Sequence, residues 1–499
     1  MNKIVDVFLS RLTYGAADRF EKDTSSNGVV EVLARVYERA RNALEYRADH
    51  LVRRAAIERI VKRRILLDKN PSSVASHLLT ELRWARYLSI NEVKRMDKIT
   101  LEKILDKYIS NLNVTVPNDW IVKMASSEIE ELFNLNIDYK QFTYFAFQAI
   151  RQKIKINDEN ADLLVFFAVD KVYGGSDDEQ ISYHILKLAG EITGEKLAET
   201  WRLFNLAKNH KILPRITKFV RRQMPPFILL RDMYFAAPSE FKKTLATEVP
   251  FRKSAEETLE IQLMQMSGRI KTAGWRSVLY VFLTKMILAV GLEIPFEIFV
   301  YGSISKLPLA VNLLFPPLLM WVVTFDMHLP KEKERAALID RAWFTINNFD
   351  ELGREDNALT ELVEEKNSLG YSIFSLLYIF IFLGIFALIY FVLGRIGFNF
   401  ANKVIFVFFL TVIAFFAYRI SQIAKVYTWK DSRESSTFGD IVALPILTIG
   451  SRLSRGLTKL NFLAFTFDFI LEAPFKIILG FLDSWFQFLS VKKEEEIIE

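Results

Sequence analysis

The chain has 499 residues, 51% hydrophobic and 25% charged, which leaves room for a soluble domain of ordinary size beside a membrane part. Both proportions cannot hold throughout, so the two kinds of residue must be segregated: charges dominate up to about Arg276 and apolar runs follow. The absence of cysteine excludes disulfides, iron–sulfur clusters, thiolate zinc sites and cysteine nucleophiles together, while a net charge of +6 suits anionic lipid headgroups at least as well as nucleic acid.

No secretory signal opens the sequence. The apolar run 4–9 is broken by Asp6 and no small-residue cleavage site follows, so residues 1–271 are expected to stay in the cytoplasm. Ile4, Phe8 and Leu12, with Lys3 and Arg11 opposite, predict a short amphipathic helix packed on its own domain rather than on lipid. From 29 to 67 runs the longest helical pattern, with Val30, Leu33, Tyr37, Ala40, Leu44, Ala48, Leu51 and Ala55 three or four apart, close to a heptad seam. Its second half sets Arg53, Arg54, Arg59, Lys62, Arg63 and Arg64 against Glu58 alone. One reading pairs this face with acids elsewhere in the domain; the other lays it, Arg63 and Arg64 included, on anionic lipid. No aromatic residues are interleaved to stack bases, so nucleic acid is disfavoured.

Asn70-Pro71-Ser72-Ser73 reads as a turn and a helix cap. Shorter helical patterns follow over 74–88, 101–112, 120–132, 139–154, 161–172, 180–188 and 195–208, several opened by Asp or Thr caps. No stretch alternates with period two, so residues 1–271 are predicted to form an all-α domain, a bundle or an irregular solenoid. A second basic cluster, Lys208, Lys211, Arg215, Lys218, Arg221 and Arg222, lies shortly before the apolar half. A solvated face is the plainer reading and a headgroup contact the sharper one.

The apolar half opens with a first hairpin over 274–325, made of runs 274–301 and 307–325. A loop over 326–370 follows, read as one or two helices docked on the N-terminal domain. The second hairpin, 371–419, holds the run 372–394, which is free of Asp, Glu, Lys and Arg, and the shorter run 404–418 bracketed by Lys403 and Arg419. Trp275, Tyr301, Trp321, Tyr371 and Tyr418 fall near the predicted interfaces. Lys331, Lys333, Arg335, Arg341, Arg354 and Lys366 crowd the long loop, whereas the short turns hold few cations. Four spans with both termini cytoplasmic is the expected topology, in a bacterial type of inner membrane.

Within the first hairpin Lys285, Glu293 and Glu297 interrupt an otherwise apolar segment, and steps of eight and twelve residues keep them within roughly 120° on a helix. Asn312 and the pair Pro316-Pro317 lie on the facing run, and Pro295 on the first. Charges at membrane depth face protein or water and often mark a pathway. The competing reading is structural: Lys285 snorkels to the inner surface, the two glutamates reach the outer headgroups, or the hairpin bends at its prolines.

The tail, 430–499, is too apolar for a soluble helix, yet Asp468, Glu472, Lys476, Asp483 and Gln487 form one stripe, with Pro474 between two segments. Amphipathic helices lying in the membrane interface are predicted, with Arg452, Arg455 and Lys459 on phosphate headgroups. The alternative is that this surface covers the spans or forms a homo-oligomer contact. No GxxxxGK[ST], HExxH, GxSxG or GxGxxG occurs, and the five histidines show no ligand spacing. No enzyme, cofactor or metal is expected. The sequence predicts a membrane-anchored scaffold presenting a helical cytoplasmic domain to a protein partner, with a small channel, transporter or lipid-moving protein built on Lys285, Glu293 and Glu297 as the alternative.

Overall fold

The computed structural model describes residues 2–14, 51–85, 87–88, 98–113, 116–133, 137–188, 190, 193–325, 329–354, 359–360, 369–424 and 426–429. The heptad-like half of the 29–67 pattern and the whole tail from 430, with Arg452, Arg455 and Lys459, lie outside them. The described helices are α1 (Lys3–Ser10), α2 (Val52–Leu67), α3 (Pro71–Trp84), α4 (Lys98–Ile109), α5 (Asn118–Phe133), α6 (Ile137–Lys153), α7 (Ala161–Val169), α8 (Asp178–Leu188) and α9 (Gly194–Lys208). They continue with α10 (Leu213–Gln223), α11 (Pro225–Ala236), α12 (Pro238–Thr244), α13 (Glu248–Leu288), α14 (Ile294–Tyr301), α15 (Lys306–Phe325), α16 (Glu332–Asn347), α17 (Leu369–Arg395) and α18 (Phe400–Ala424). Extended pairing among the described residues is confined to a two-residue parallel bridge, Ile154 opposite Leu359 and Lys155 opposite Thr360, so the protein is all-α as predicted.

The chain forms two compact units. Among the described residues the first lies within 11–147 and 158–220, and the second within 2–10, 148–157 and 221–429. In the first, local chemistry starts the helices where the sequence places them. Asn70 accepts the Ser72 amide at 3.0 Å with Pro71 in the first turn of α3, and the Thr193 hydroxyl caps α9 through the Lys196 amide at 3.4 Å. The core is mainly aliphatic: Ile57, Ile60 and Val61 of α2 cluster with Leu78 and Leu82 of α3, Leu101 and Leu105 of α4, and Ile121, Met124 and Ile129 of α5, with Tyr108, Trp120, Phe133 and Tyr183 among them. The basic face of α2 is paired with acids of the same unit. Arg53 grips Glu130, Lys62 reaches Asp119 at 2.6 Å, and Arg63 and Arg64 converge on the buried carboxylate of Glu81.

The second unit is built along α13, a helix of 41 residues. At 1.5 Å per residue it is about 60 Å long, twice the thickness of a hydrocarbon layer. Its first half buries Phe251, Ala255, Leu259, Leu263 and Met266 at helical spacing and faces water with charges. The charged stretch before the first span and most of its first apolar run are therefore one continuous helix. At Gly274 the helix passes close to α15: a Cβ there would lie 2.0 Å from the Thr324 methyl group, so only glycine fits the crossing. Beyond Leu288 the backbone makes a single π-helical turn, Ala289–Glu293, and resumes as α14. Pro295 supplies a reason, since it has no N–H and its ring collides with the carbonyl four residues earlier; the wider turn relieves both. α15 runs unbroken through Pro316 and Pro317, so the hairpin does not stop at its prolines.

Three runs are long and apolar enough to cross a membrane: Glu248–Tyr301, Lys306–Thr324 and Phe400–Tyr418. The fourth span, expected over 372–394, falls on α17. It is not among these three; the apolar stretch counted there among the described residues is Ile379–Arg395. α13, α15 and α18 pack mutually around Met320, Ile413 and Ile420, while α17 joins near its C-terminal end through Leu393, Phe398 and Phe406.

The polarity of this bundle is inverted relative to a soluble core. Ile287, Val290, Phe299, Leu307, Leu318, Phe380 and Phe391 point outward, Phe299 with 91% of its surface free. The ionisable side chains Lys285, Glu293 and Glu297 point inward and are 0–1% exposed. In water that arrangement loses apolar burial and desolvates charge at once; in hydrocarbon it is the favourable one.

Candidate functional site

The inward polar residues come from four helices and one π turn. Lys285 stands near the end of α13, Glu293 closes the π turn, Glu297 lies on α14, Asn312 on α15, and Asn402 near the start of α18. Lys285 is ion-paired with Glu293 Oε1, and the Asn312 amide Nδ2 donates to Glu293 Oε2 at 2.9 Å. The Lys285 ammonium also lies 4.8 Å from the centroid of the Phe409 ring, a cation–π contact from α18. Lys285 thus turns along the helix to Glu293. Asn312 Oδ1 is buried and has no hydrogen-bond partner among the described residues.

Glu297 belongs to a separate group. It accepts from the Ser305 amide at 2.9 Å, from Asn399 Nδ2 at 3.0 Å and from Asn402 Nδ2 at 2.6 Å. Ser305 sits in the turn after Gly302, whose left-handed backbone (φ 70°) ends α14, and Asn399 sits in the turn before α18. One carboxylate therefore ties together the two short hairpin turns with three neutral donors. These donors would repel a metal ion, and among the described residues no cluster of three or more metal-ligating side chains occurs.

All four predicted residues, Lys285, Glu293, Glu297 and Asn312, are buried in the bundle; Lys285, Glu293 and Asn312 are joined directly. Asn399 and Asn402 were not foreseen. Their only trace in the sequence is a pair of amides three residues apart just after Gly397.

Of the basic residues singled out for lipid, Arg63 and Arg64 share Glu81, whereas the cluster on α10 is free. Arg215, Lys218, Arg221 and Arg222 are exposed, and none has an ion pair among the described residues. α10 carries no acid and buries Leu213, Ile216 and Val220 on its other side. Arg215, Lys218 and Arg222 fall within an arc of about 60° at 100° per residue.

A further polar cluster lies in the first unit, where the sequence suggested only an ordinary histidine. Asp170 begins a second π turn, Asp170–Gly174, and is buried. Its Oδ2 meets His184 Nδ1 at 2.6 Å and its Oδ1 accepts from the Ser176 hydroxyl at 2.7 Å. A Cβ at Gly174 would lie 2.5 Å from Asp170 Oδ1, so a larger residue there would displace the carboxylate. Burial pulls the His184 pKa down, but the Asp170 carboxylate beside it, assisted by Glu131 and opposed by Lys140, lifts it above the ordinary 6.5. A histidine whose folded pKa exceeds the unfolded one contributes stability that is complete below about pH 6.5 and is lost as pH rises through the folded value. The unit is therefore expected to melt at progressively lower temperature as pH rises through that window. His184→Gln should flatten the dependence in calorimetric scans, and an unchanged slope in the variant would rule the dyad out as its source.

No protein family, characterised protein or solved structure matches the chain.

Proposed function

We propose that the protein is an integral membrane scaffold, an anchor that holds a helical domain at the bilayer and presents it to a protein partner. The observation that carries this reading is the inverted bundle: apolar side chains outside, and inside it the Lys285–Glu293 pair closed by Asn312 and shielded from solvent. Charges satisfied by one another within the protein fix helix packing without needing a substrate. In this reading α17, whose helix begins at Leu369 and runs 27 residues, enters as a fourth span and α18 returns. The cation-rich loop 326–370 and both termini lie in the cytoplasm, and the tail lies in the interface. The unpaired basic arc of α10 supports anionic headgroups as the lipid partner.

The alternative, a channel, transporter or lipid-moving protein, draws on the same buried charges. Reconstituted as the full chain, the scaffold is expected to stay with liposomes through an alkaline carbonate wash. It should leave their permeability to protons, to potassium and to labelled phospholipid at the level of empty vesicles. A flux that depends on the protein would replace the scaffold with the alternative, and release into the wash would remove both.

A further inference from the structure

We propose that Glu293 is a proton-binding site whose protonated state finds its partners already in place, Asn312 to accept the new O–H and Phe409 to keep the displaced Lys285 ammonium. This goes beyond the scaffold reading and does not depend on it.

The first support is the bare amide oxygen. Asn312 is fully buried and gives its Nδ2 hydrogen to Glu293 Oε2, while Oδ1 has no partner among the described residues. A buried acceptor left unmatched is a standing cost in any folded protein. A primary amide presents an N–H and a C=O along one edge, and an ionised carboxylate, which only accepts, matches half of that edge. A carboxylic acid presents a C=O and an O–H along one edge and matches all of it. Protonated Glu293 would accept from Nδ2 as now and donate its O–H to Oδ1, closing a ring of two hydrogen bonds with Asn312.

The second support is the fate of the cation. When the carboxyl becomes neutral the ion pair lapses, and an ammonium alone in the bundle would be strongly disfavoured. Lys285 Nζ already stands over the Phe409 ring at 4.8 Å, so it keeps a partner without crossing the bundle. The third is the backbone. Glu293 is carried on a π turn, an interruption of the helix that recurs at functional sites and leaves looser local hydrogen bonding.

The groups facing Glu293 are Lys285 from α13, Asn312 from α15 and Phe409 beside Lys285 from α18; the neighbouring Glu297 of α14 is engaged by Ser305, Asn399 and Asn402. The step balances simply. A hydronium ion gives its proton to a Glu293 oxygen: one hydronium O–H bond breaks, one carboxyl O–H bond forms, a water molecule is left behind, and the charge of the cluster rises by one.

Infrared spectroscopy of the full chain in lipid nanodiscs tests this, by following the carbonyl stretch of protonated carboxyl groups between about pH 4 and about pH 9. The spectrum of the wild type minus that of Glu293→Gln is expected to contain a carboxyl band that grows as pH falls. Asn312→Leu, which removes the acceptor, is expected to weaken that band several-fold at a given pH. It keeps the test standing if Glu293→Gln does not fold. A difference spectrum without a pH-dependent carboxyl band, or a band that Asn312→Leu leaves unchanged, would overturn the proposal. Neither result touches the scaffold reading, which fails only on the flux and wash measurements.

Discussion

Replacing Lys285 alone with leucine is expected to destabilise the span-bearing bundle severely, whereas replacing Lys285 and Glu293 together with leucine is expected to restore most of the loss. The reason is the asymmetry of buried ion pairs. Removing one partner leaves the other charge desolvated and uncompensated, which costs about 3–5 kcal/mol, while exchanging both for apolar groups is often neutral or stabilising. Glu293 has a second way out of the single variant, by taking up a proton. That removes the uncompensated charge, so acidification is expected to ease the defect. The double variant still leaves Asn312 Nδ2 without its acceptor, about 1–3 kcal/mol, so adding Asn312→Leu should improve it further. Against a total stability of about 5–15 kcal/mol these differences are large. Denaturation of the purified full chain in detergent micelles would measure them as a double-mutant cycle. A double variant no more stable than Lys285→Leu would mean that the pair does not hold the bundle.

How much of this was legible beforehand depended on sequence distance. Asn70 and Thr193 could be read as caps because each acts on an amide two or three residues away. Lys285 and Glu293 could be placed on one side of a helix because they lie eight residues apart on a single element. The π turn that delivers Glu293 was hidden, since periodicity assumes a uniform 100° per residue, although Pro295 pointed to an irregularity. Glu297 was visible as an isolated carboxylate, but its purpose was not. The donors that explain it, Asn399 and Asn402, lie 102 and 105 residues further on, and only the packing of two hairpin turns brings them in. The basic run of α2 shows the same limit from the other side. Six cations against one acid looked like a surface for anions, because Glu81, Asp119 and Glu130 stand on α3 and α5, where no local pattern links them. Among the described residues α10 meets no such distant acids, and its arc stays open.

Arg54→Leu is expected to be the most damaging single change in the first unit, costing about 3–5 kcal/mol. The guanidinium is wholly buried, pairs with Asp177 at 2.6 Å and Glu58 at 3.1 Å, and reaches the Ser126 hydroxyl at 3.2 Å. Burial alone would draw its pKa down, but the carboxylates of Asp177, Glu58 and Glu179 raise it above the ordinary arginine value, so it stays charged. Without it those three acids face one another across a partly desolvated space, with Lys123 on Glu179 as partial relief. Arg54→Lys keeps the charge but cannot span the same partners with a planar fork, and should fall between leucine and the wild type. Lys62→Leu on the same helix is the reference: its pair with Asp119 is about half exposed on both sides and is worth no more than about 1 kcal/mol. Thermal melts of the full chain should therefore place Arg54→Leu well below Lys62→Leu. If the two melt together, the buried guanidinium is not what joins α2 to the segment that begins α8.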